Sequence, residues 1–254
     1  MTDPVDGLRR LGLRASTESL AAFLAHATRA KMAPTQVFEG LATLEQRERE
    51  ALNLKNRTRD AALGNFKPVE EFDWTHPREI PKDVYQQLST CDFIKPAHNV
   101  LLRGPSGVGK TMLAKNLGRF ALERGFKVHY TPLSAMLAIL LRQESVPAFE
   151  RRVRRYVTPS LLIIDELGYV PADGKAADVL YHVINARHEL RSTIITTNLA
   201  YKQWTTIFPN AACVGALVDR FVQHCHAIEI DADSWRAKTA EQFKKPRARP
   251  QPTA

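Results

Sequence analysis

Eight consecutive residues, Gly104-Pro105-Ser106-Gly107-Val108-Gly109-Lys110-Thr111, follow the pattern G-x-x-x-x-G-K-T. Glycines at these places let the backbone curl until its N–H groups face phosphate oxygens, and a helix opening at the lysine adds the positive end of its dipole. Lys110 is then placed for the β- and γ-phosphates of ATP, and the Thr111 hydroxyl for Mg²⁺. Met112 closes this candidate nucleotide-binding run. A second group ends the apolar stretch Leu161-Leu162-Ile163-Ile164, where Asp165 and Glu166 follow at once. A buried strand delivers Asp165 to the edge of a sheet beside the phosphate loop, where it pairs with Thr111 as a metal holder, while Glu166 can polarise an attacking water. A kinase that moves phosphate to a bound small molecule needs no water-activating carboxylate, so Glu166 tilts the chemistry toward hydrolysis.

Three further polar residues stand at places that matter in such a site. Asn198 ends the apolar-to-polar run Ser192–Thr197 and can orient a water; the same position also suits a turn asparagine that caps the next helix. Arg220 lies near the end of a helical stretch, and Arg236 follows the last predicted strand. Either arginine can neutralise transition-state charge, within its own chain or from a neighbouring subunit, and either also suits a plain surface role.

Periodicity supplies the elements that must position these groups. Leu20, Phe23, Leu24 and Ala27 share one helical face, as do Val37, Leu41 and Leu44, so residues 1–67 read as a small helical domain with Glu45 and Arg49 paired on its surface. Residues 68–97 are a connector interrupted by prolines, with Phe66, Phe72 and Trp74 expected as buried anchors at and beside it. From residue 98 to 243 short apolar runs alternate with helices, over 99–102, 127–130, 161–164, 192–196 and 227–230. This is the pattern of an α/β domain with a largely parallel sheet. Residues 244–254 form a basic, Pro-rich tail expected to be disordered, either adding phosphate affinity or merely solvated.

Composition bounds the rest. The formal net charge of +9 favours polyanion partners, nucleic acid first, although a generally basic surface would give the same number. Two basic segments are candidate phosphate contacts. One is Lys55, Arg57 and Arg59; the other is Arg151, Arg152, Arg154 and Arg155, four arginines in five residues, equally readable as a solvated helix face or a subunit contact. Three well-separated cysteines argue for a reducing compartment, and neither a signal peptide nor a membrane span is expected. His224-Cys225-His226 is a poor metal site, because adjacent residues on a strand point to opposite faces.

Together these elements resemble the AAA+ superfamily, and more narrowly the IstB-like transposition helper ATPases and their relatives, the DnaC-type helicase loaders. The similarity runs from Leu8-Arg9-Arg10-Leu11-Gly12-Leu13 through Phe72-Asp73-Trp74 and Thr196-Thr197-Asn198-Leu199 with Trp204, to Ala216-Leu217-Val218-Asp219-Arg220-Phe221 and Ser234-Trp235-Arg236. It implies a five-stranded parallel sheet in the order 5-1-4-3-2. It also implies that Asn198 is a sensor-1 residue, Arg220 an arginine finger acting on the next subunit's ATP, and Arg236 a sensor-2 contact to ATP in its own subunit. Met112 stands where these relatives usually carry His, and Trp235 replaces the more usual Tyr.

The function implied is an ATP-dependent, duplex-DNA-binding helper of a transposase, cytoplasmic and nucleoid-associated, assembling head to tail with ATP between subunits. A helicase loader would share the ATPase core but grip a replicative helicase through its N-terminal helices. A small-molecule P-loop kinase would need an acceptor pocket and would ignore DNA.

Overall fold

The computed structural model describes residues 3–168, 174–208 and 211–244, with side chains as far as Thr239. The expected tail over 244–254 lies outside these described residues, save for the backbone of Lys244. The chain divides into two compact units, Met1–Arg59 and Asp60–Ala254.

The first unit holds α1 (Pro4–Arg10), α2 (Thr17–Arg29) and most of α3 (Pro34–Ala61). Val5, Ala15 and Leu20 are buried, with Leu8, Leu13, Leu24, Leu41 and Leu44 packed against them. Ser16 caps α2 by accepting the Ser19 amide at 3.0 Å. The Glu45–Arg49 pair forms, but Glu45 does more than a surface partner: its carboxylate accepts the amides of Arg14 and Ala15 at 2.8 and 2.9 Å. It thereby satisfies backbone at the turn before α2.

The second unit opens with the end of α3 and a connector containing α4 (Lys82–Leu88). Then come β1 (Asn99–Arg103), α5 (Lys110–Glu123), β2 (Val128–Pro132), α6 (Leu133–Leu140), α7 (Val146–Val157), β3 (Leu161–Leu167), α8 (Gly174–Arg187) and β4 (Ser192–Thr197). The short α9 (Trp204–Ile207), α10 (Val214–Val222), β5 (Cys225–Glu229) and α11 (Trp235–Lys244) complete it. The strands form one sheet in the order β2-β3-β4-β1-β5, with every pairing parallel. This is the order that the resemblance implies, read from the opposite edge. Among the described residues no helix is long and apolar enough to cross a membrane.

A parallel sheet covered on both faces needs strands that are apolar throughout, and Leu161 to Ile164 are 0% exposed. Leu162 and Ile164 belong to a core shared with α6, α7, α8 and α10, while Ile163 meets Gly118 of α5 on the other face. The connector aromatics depart from expectation. Phe66, Phe72 and Trp74 are only half-buried, whereas Tyr85, Leu88, Phe93 and Ile94 are buried. Trp74 packs between Phe72, edge to face, and Tyr85, at a tilt, with ring centroids at 4.8 and 5.3 Å. His224, in the turn before β5, and His226, on the strand, both meet His98, whose Nδ1 lies 3.2 Å from His226 Nε2. Among the described residues no group of three His, Cys, Asp or Glu could hold a metal ion.

The arginine run sits on α7, where Phe149, Val153 and Tyr156 face the core and Arg151, Arg152, Arg154 and Arg155 are exposed. The last turn of this helix is tied down by Arg187, which is 1% exposed. Its guanidinium donates to the carbonyls of Tyr156 (2.8 Å), Val157 (3.1 Å) and Pro159 (2.9 Å), to Ser192 O and to Thr193 Oγ1. One side chain thus satisfies a helix C-terminus, the loop before β3 and the start of β4. Arg187→Met should leave these buried carbonyls without donors and cost at least about 2 kcal/mol of stability; the check is the midpoint of urea denaturation, which should fall.

Candidate functional site

The phosphate-loop motif lies between β1 and α5, as its sequence context requires. Gly109 is the N-cap of α5 in a left-handed conformation (φ 96°) with no side-chain cap, so the amides of the first turn are left for an anion. Gly107 is also left-handed (φ 82°). A Cβ on it would lie 2.3 Å from Ser234 Oγ, and one on Gly109 would lie 2.6 Å from Phe72 Cε2. Both positions therefore demand glycine for conformation and for space. The Lys110 ammonium donates to the carbonyls of Gly104 (2.7 Å) and Pro105 (2.6 Å), curling the loop around its own lysine. Burial lowers the pKa of this ammonium to about 8, with the Asp165 carboxylate acting the other way.

Asp165 is brought to Thr111 across the sheet edge. The Thr111 hydroxyl donates to Asp165 Oδ1 at 3.0 Å, and the Tyr130 hydroxyl donates to Oδ2 at 2.7 Å. The Thr196 hydroxyl also donates to Oδ1. The carboxylate is 2% exposed, so these hydroxyls stand in for the water it has lost. Burial first, and then the bond to Asp165, raise the Tyr130 phenol well above its ordinary pKa, which keeps it a donor.

Glu166 is handled oppositely. The register between β3 and β4 shifts between Ile164 and Leu167, and Glu166 takes a left-handed backbone (φ 64°). Its amide donates to Thr196 Oγ1 at 3.0 Å, so one hydroxyl holds both acidic residues. The bulge sends Asp165 inward and leaves Glu166 exposed, facing the cavity.

That cavity has a volume of about 470 Å³ and connects the two groups. Ser106 to Met112 form its floor, Glu166, Thr196 and Thr197 one side, and Phe66, Phe72 and His76 another. Trp235 and Arg236, in the first turn of α11, close it; the Trp235 amide donates to Gly107 O at 3.2 Å. Of the residues marked out in the sequence, the structure thus gathers the phosphate loop, Met112, Asp165, Glu166 and Arg236. Asn198 sits one residue past β4, beside Gly168, and does not line the cavity. Arg220 stands on α10 with its guanidinium 5.2 Å from the Tyr181 ring centroid, also outside the cavity. Lys55, Arg57 and Arg59 lie on α3 and the arginine run on α7, neither of them at the cavity.

Tyr130 and Lys115 carried no local signal, and Phe66 and Phe72 were marked only as buried anchors. Tyr130 can be placed beside Asp165 only once β2 is known to neighbour β3. For a metal, Thr111 on the cavity and the buried Asp165 bonded to it offer hard oxygen donors, and no three-residue cage exists among the described residues. Such a pair fits Mg²⁺, which keeps waters and takes phosphate oxygens as its remaining ligands.

The chain is similar to known proteins. Residues 7–243 match the model of the family described as IstB-like ATP binding protein. The chain is 32% identical over 185 residues to the ATP-binding protein of insertion sequence IS21 from Pseudomonas aeruginosa, covering 73% of this chain and 70% of that one. It is 33% identical over 190 residues to the ATP-binding protein of insertion sequence IS232 from Bacillus thuringiensis subsp. berliner, covering 75% and 76%. The crystal structure of DnaI shares the fold, with a TM-score of 0.54 at 16% identity over 66% of this chain and 89% of that one.

Gly107→Ala forces a Cβ into Ser234 and strains a left-handed residue. It should weaken binding of a non-hydrolysable ATP analogue at least about tenfold, while the far-ultraviolet circular dichroism spectrum stays unchanged; fluorescence titration of the analogue provides the measurement.

Proposed function

The chain belongs to the family of IstB-like ATP binding proteins, and on that footing we propose that it is a Mg²⁺-dependent ATPase that binds duplex DNA and assists a transposase. The observation that carries the hydrolytic part is the bulge at Asp165-Glu166, which keeps one carboxylate buried against Thr111 and exposes the next to the same cavity. In this reading the loop amides from Ser106 to Thr111 cradle the polyphosphate. Lys110 leaves the Gly104 and Pro105 carbonyls to neutralise the β- and γ-phosphates. Thr111 and Asp165 hold Mg²⁺, which when bound offsets charge on the phosphate oxygens. Glu166 takes a proton from the attacking water. Arg236 reaches the triphosphate of its own chain from α11.

Arg220 and Asn198 enter at a second level. Arg220 projects from α10 and serves the ATP of the next subunit, so that subunits assemble head to tail with nucleotide between them. Asn198, just past β4, orients the water once that arrangement has closed. ATP binding favours assembly and hydrolysis favours release. The DNA contacts are the exposed arginine face of α7, with Lys55, Arg57 and Arg59 of α3 adding to it, and residues 1–67 carry the DNA- and partner-binding role. Contacts of this type go to phosphates, so binding is salt-sensitive and weak in sequence preference. Such a protein works in the cytoplasm, on the nucleoid.

Steady-state ATP hydrolysis with and without duplex DNA, at low and moderate salt, tests this reading. Duplex should stimulate the wild type, the stimulation should fade with salt, and Glu166→Gln should lower the rate about 100-fold or more. Indifference to DNA together with an active Glu166→Gln protein would sink it. Replacing Arg151, Arg152, Arg154 and Arg155 together with Ala should flatten the plot of log affinity against log salt, by about 0.9 for each phosphate that the helix no longer neutralises. An unchanged slope would move the DNA surface elsewhere.

A further inference from the structure

Asp165 has two oxygens, and they are served unequally. Thr111 and Thr196 both donate to Oδ1, whereas the hydroxyl that donates to Oδ2 is that of Tyr130. A carboxylate held at one oxygen alone can still swing about its terminal torsion, because such torsions are broad. A second donor at the other oxygen fixes the plane. In the parallel register of β2 on β3, Pro132 is opposite Asp165 and Tyr130 is opposite Ile163. The phenol must therefore lean two residues along the strand, about 6.6 Å, which is within the reach of tyrosine and beyond that of Ser or Thr. The ring is itself held from the cavity side, where the Lys115 ammonium lies 4.3 Å from its centroid.

We infer that Tyr130 is a positioning residue for the metal: by holding Asp165 Oδ2, it sets the plane in which Oδ1 and Thr111 present themselves to Mg²⁺. The inference rests on the reading of Asp165 as the metal-holding carboxylate. Tyr130 itself does not line the cavity and touches no substrate; it acts through Asp165. Lys115, by contrast, lines the cavity and steadies the tyrosine ring.

Tyr130→Phe keeps the ring and its contact with Lys115 and removes only the donor. The experiment measures the affinity of the full chain for a fluorescent non-hydrolysable ATP analogue while MgCl₂ is titrated, with an EDTA arm, for the wild type, Tyr130→Phe, Asp165→Asn and the double variant. In EDTA, Tyr130→Phe should bind the analogue as the wild type does, although its melting temperature should fall because the buried Asp165 Oδ2 loses its donor. Its half-saturating Mg²⁺ concentration should rise roughly fivefold or more. Asp165→Asn should raise it further, and adding Tyr130→Phe to Asp165→Asn should change nothing more, because the tyrosine acts through the carboxylate. A shift in Asp165→Asn with none in Tyr130→Phe would overturn the role of Tyr130 and leave the metal reading standing. No shift in either would remove the metal reading of Asp165 and this inference with it. Equal and additive weakening in the presence and absence of Mg²⁺ would mean that Tyr130 only packs.

Discussion

A carboxylate 2% exposed in a strand that is apolar up to that point must have hydrogen-bond donors supplied by the protein. Asp165 finds them on three different elements: Thr111 at the start of α5, Tyr130 on β2 and Thr196 on β4. They can converge only if β3 lies between β2 and β4 and if α5 begins at the same edge. The observed strand order provides both conditions. The sheet order and the buried carboxylate are thus one constraint seen from two sides. A different order would bury the same aspartate without donors.

The same edge has to present a second carboxylate outward, one residue later. A regular strand already alternates its faces, but both faces of this sheet are covered by helices, so alternation alone would bury Glu166 as well. The bulge turns it out of the sheet instead. A non-glycine residue in the left-handed region costs about 1–3 kcal/mol, and Thr196 offsets part of this by accepting the Glu166 amide. Thr196 is consequently the residue whose loss would disturb both acids together, although by type it looks like an ordinary strand-end threonine.

Much of this was legible in the sequence, for identifiable reasons. The phosphate loop needs glycine at Gly104, where a Cβ would meet the Ile230 carbonyl, and at Gly109, where the backbone is left-handed and Phe72 is in the way, so the motif is readable as a literal pattern. The strand before Asp165 is readable because burial on both faces erases alternation. The strand order was not in the periodicity at all; it came with the family resemblance, since no local pattern says which parallel strands are neighbours. Tyr130 was unreadable for the same reason. The aromatic residues of the connector were expected in a core and are instead half-buried, with Phe66 and Phe72 lining the cavity; hydrophobicity marks both situations alike. The division between the compact units falls at Arg59, inside α3, where no glycine or proline marks it.

The cavity walls come from stretches far apart in the chain: residues 65–76 and 106–115, then Glu166, then Thr196 and Thr197, and last 235–236. A polypeptide made from its N-terminus acquires the phosphate loop and all four strands from β1 to β4 well before Trp235 exists. Until then the loop lacks the Trp235 amide that meets Gly107 O, and the side that Arg236 closes is open to solvent. Enclosure of nucleotide is therefore a late event in synthesis, delayed by the long sequence separation of its parts. A ribosome-bound chain of this protein can hold most of its sheet while still unable to shut its site around a nucleotide.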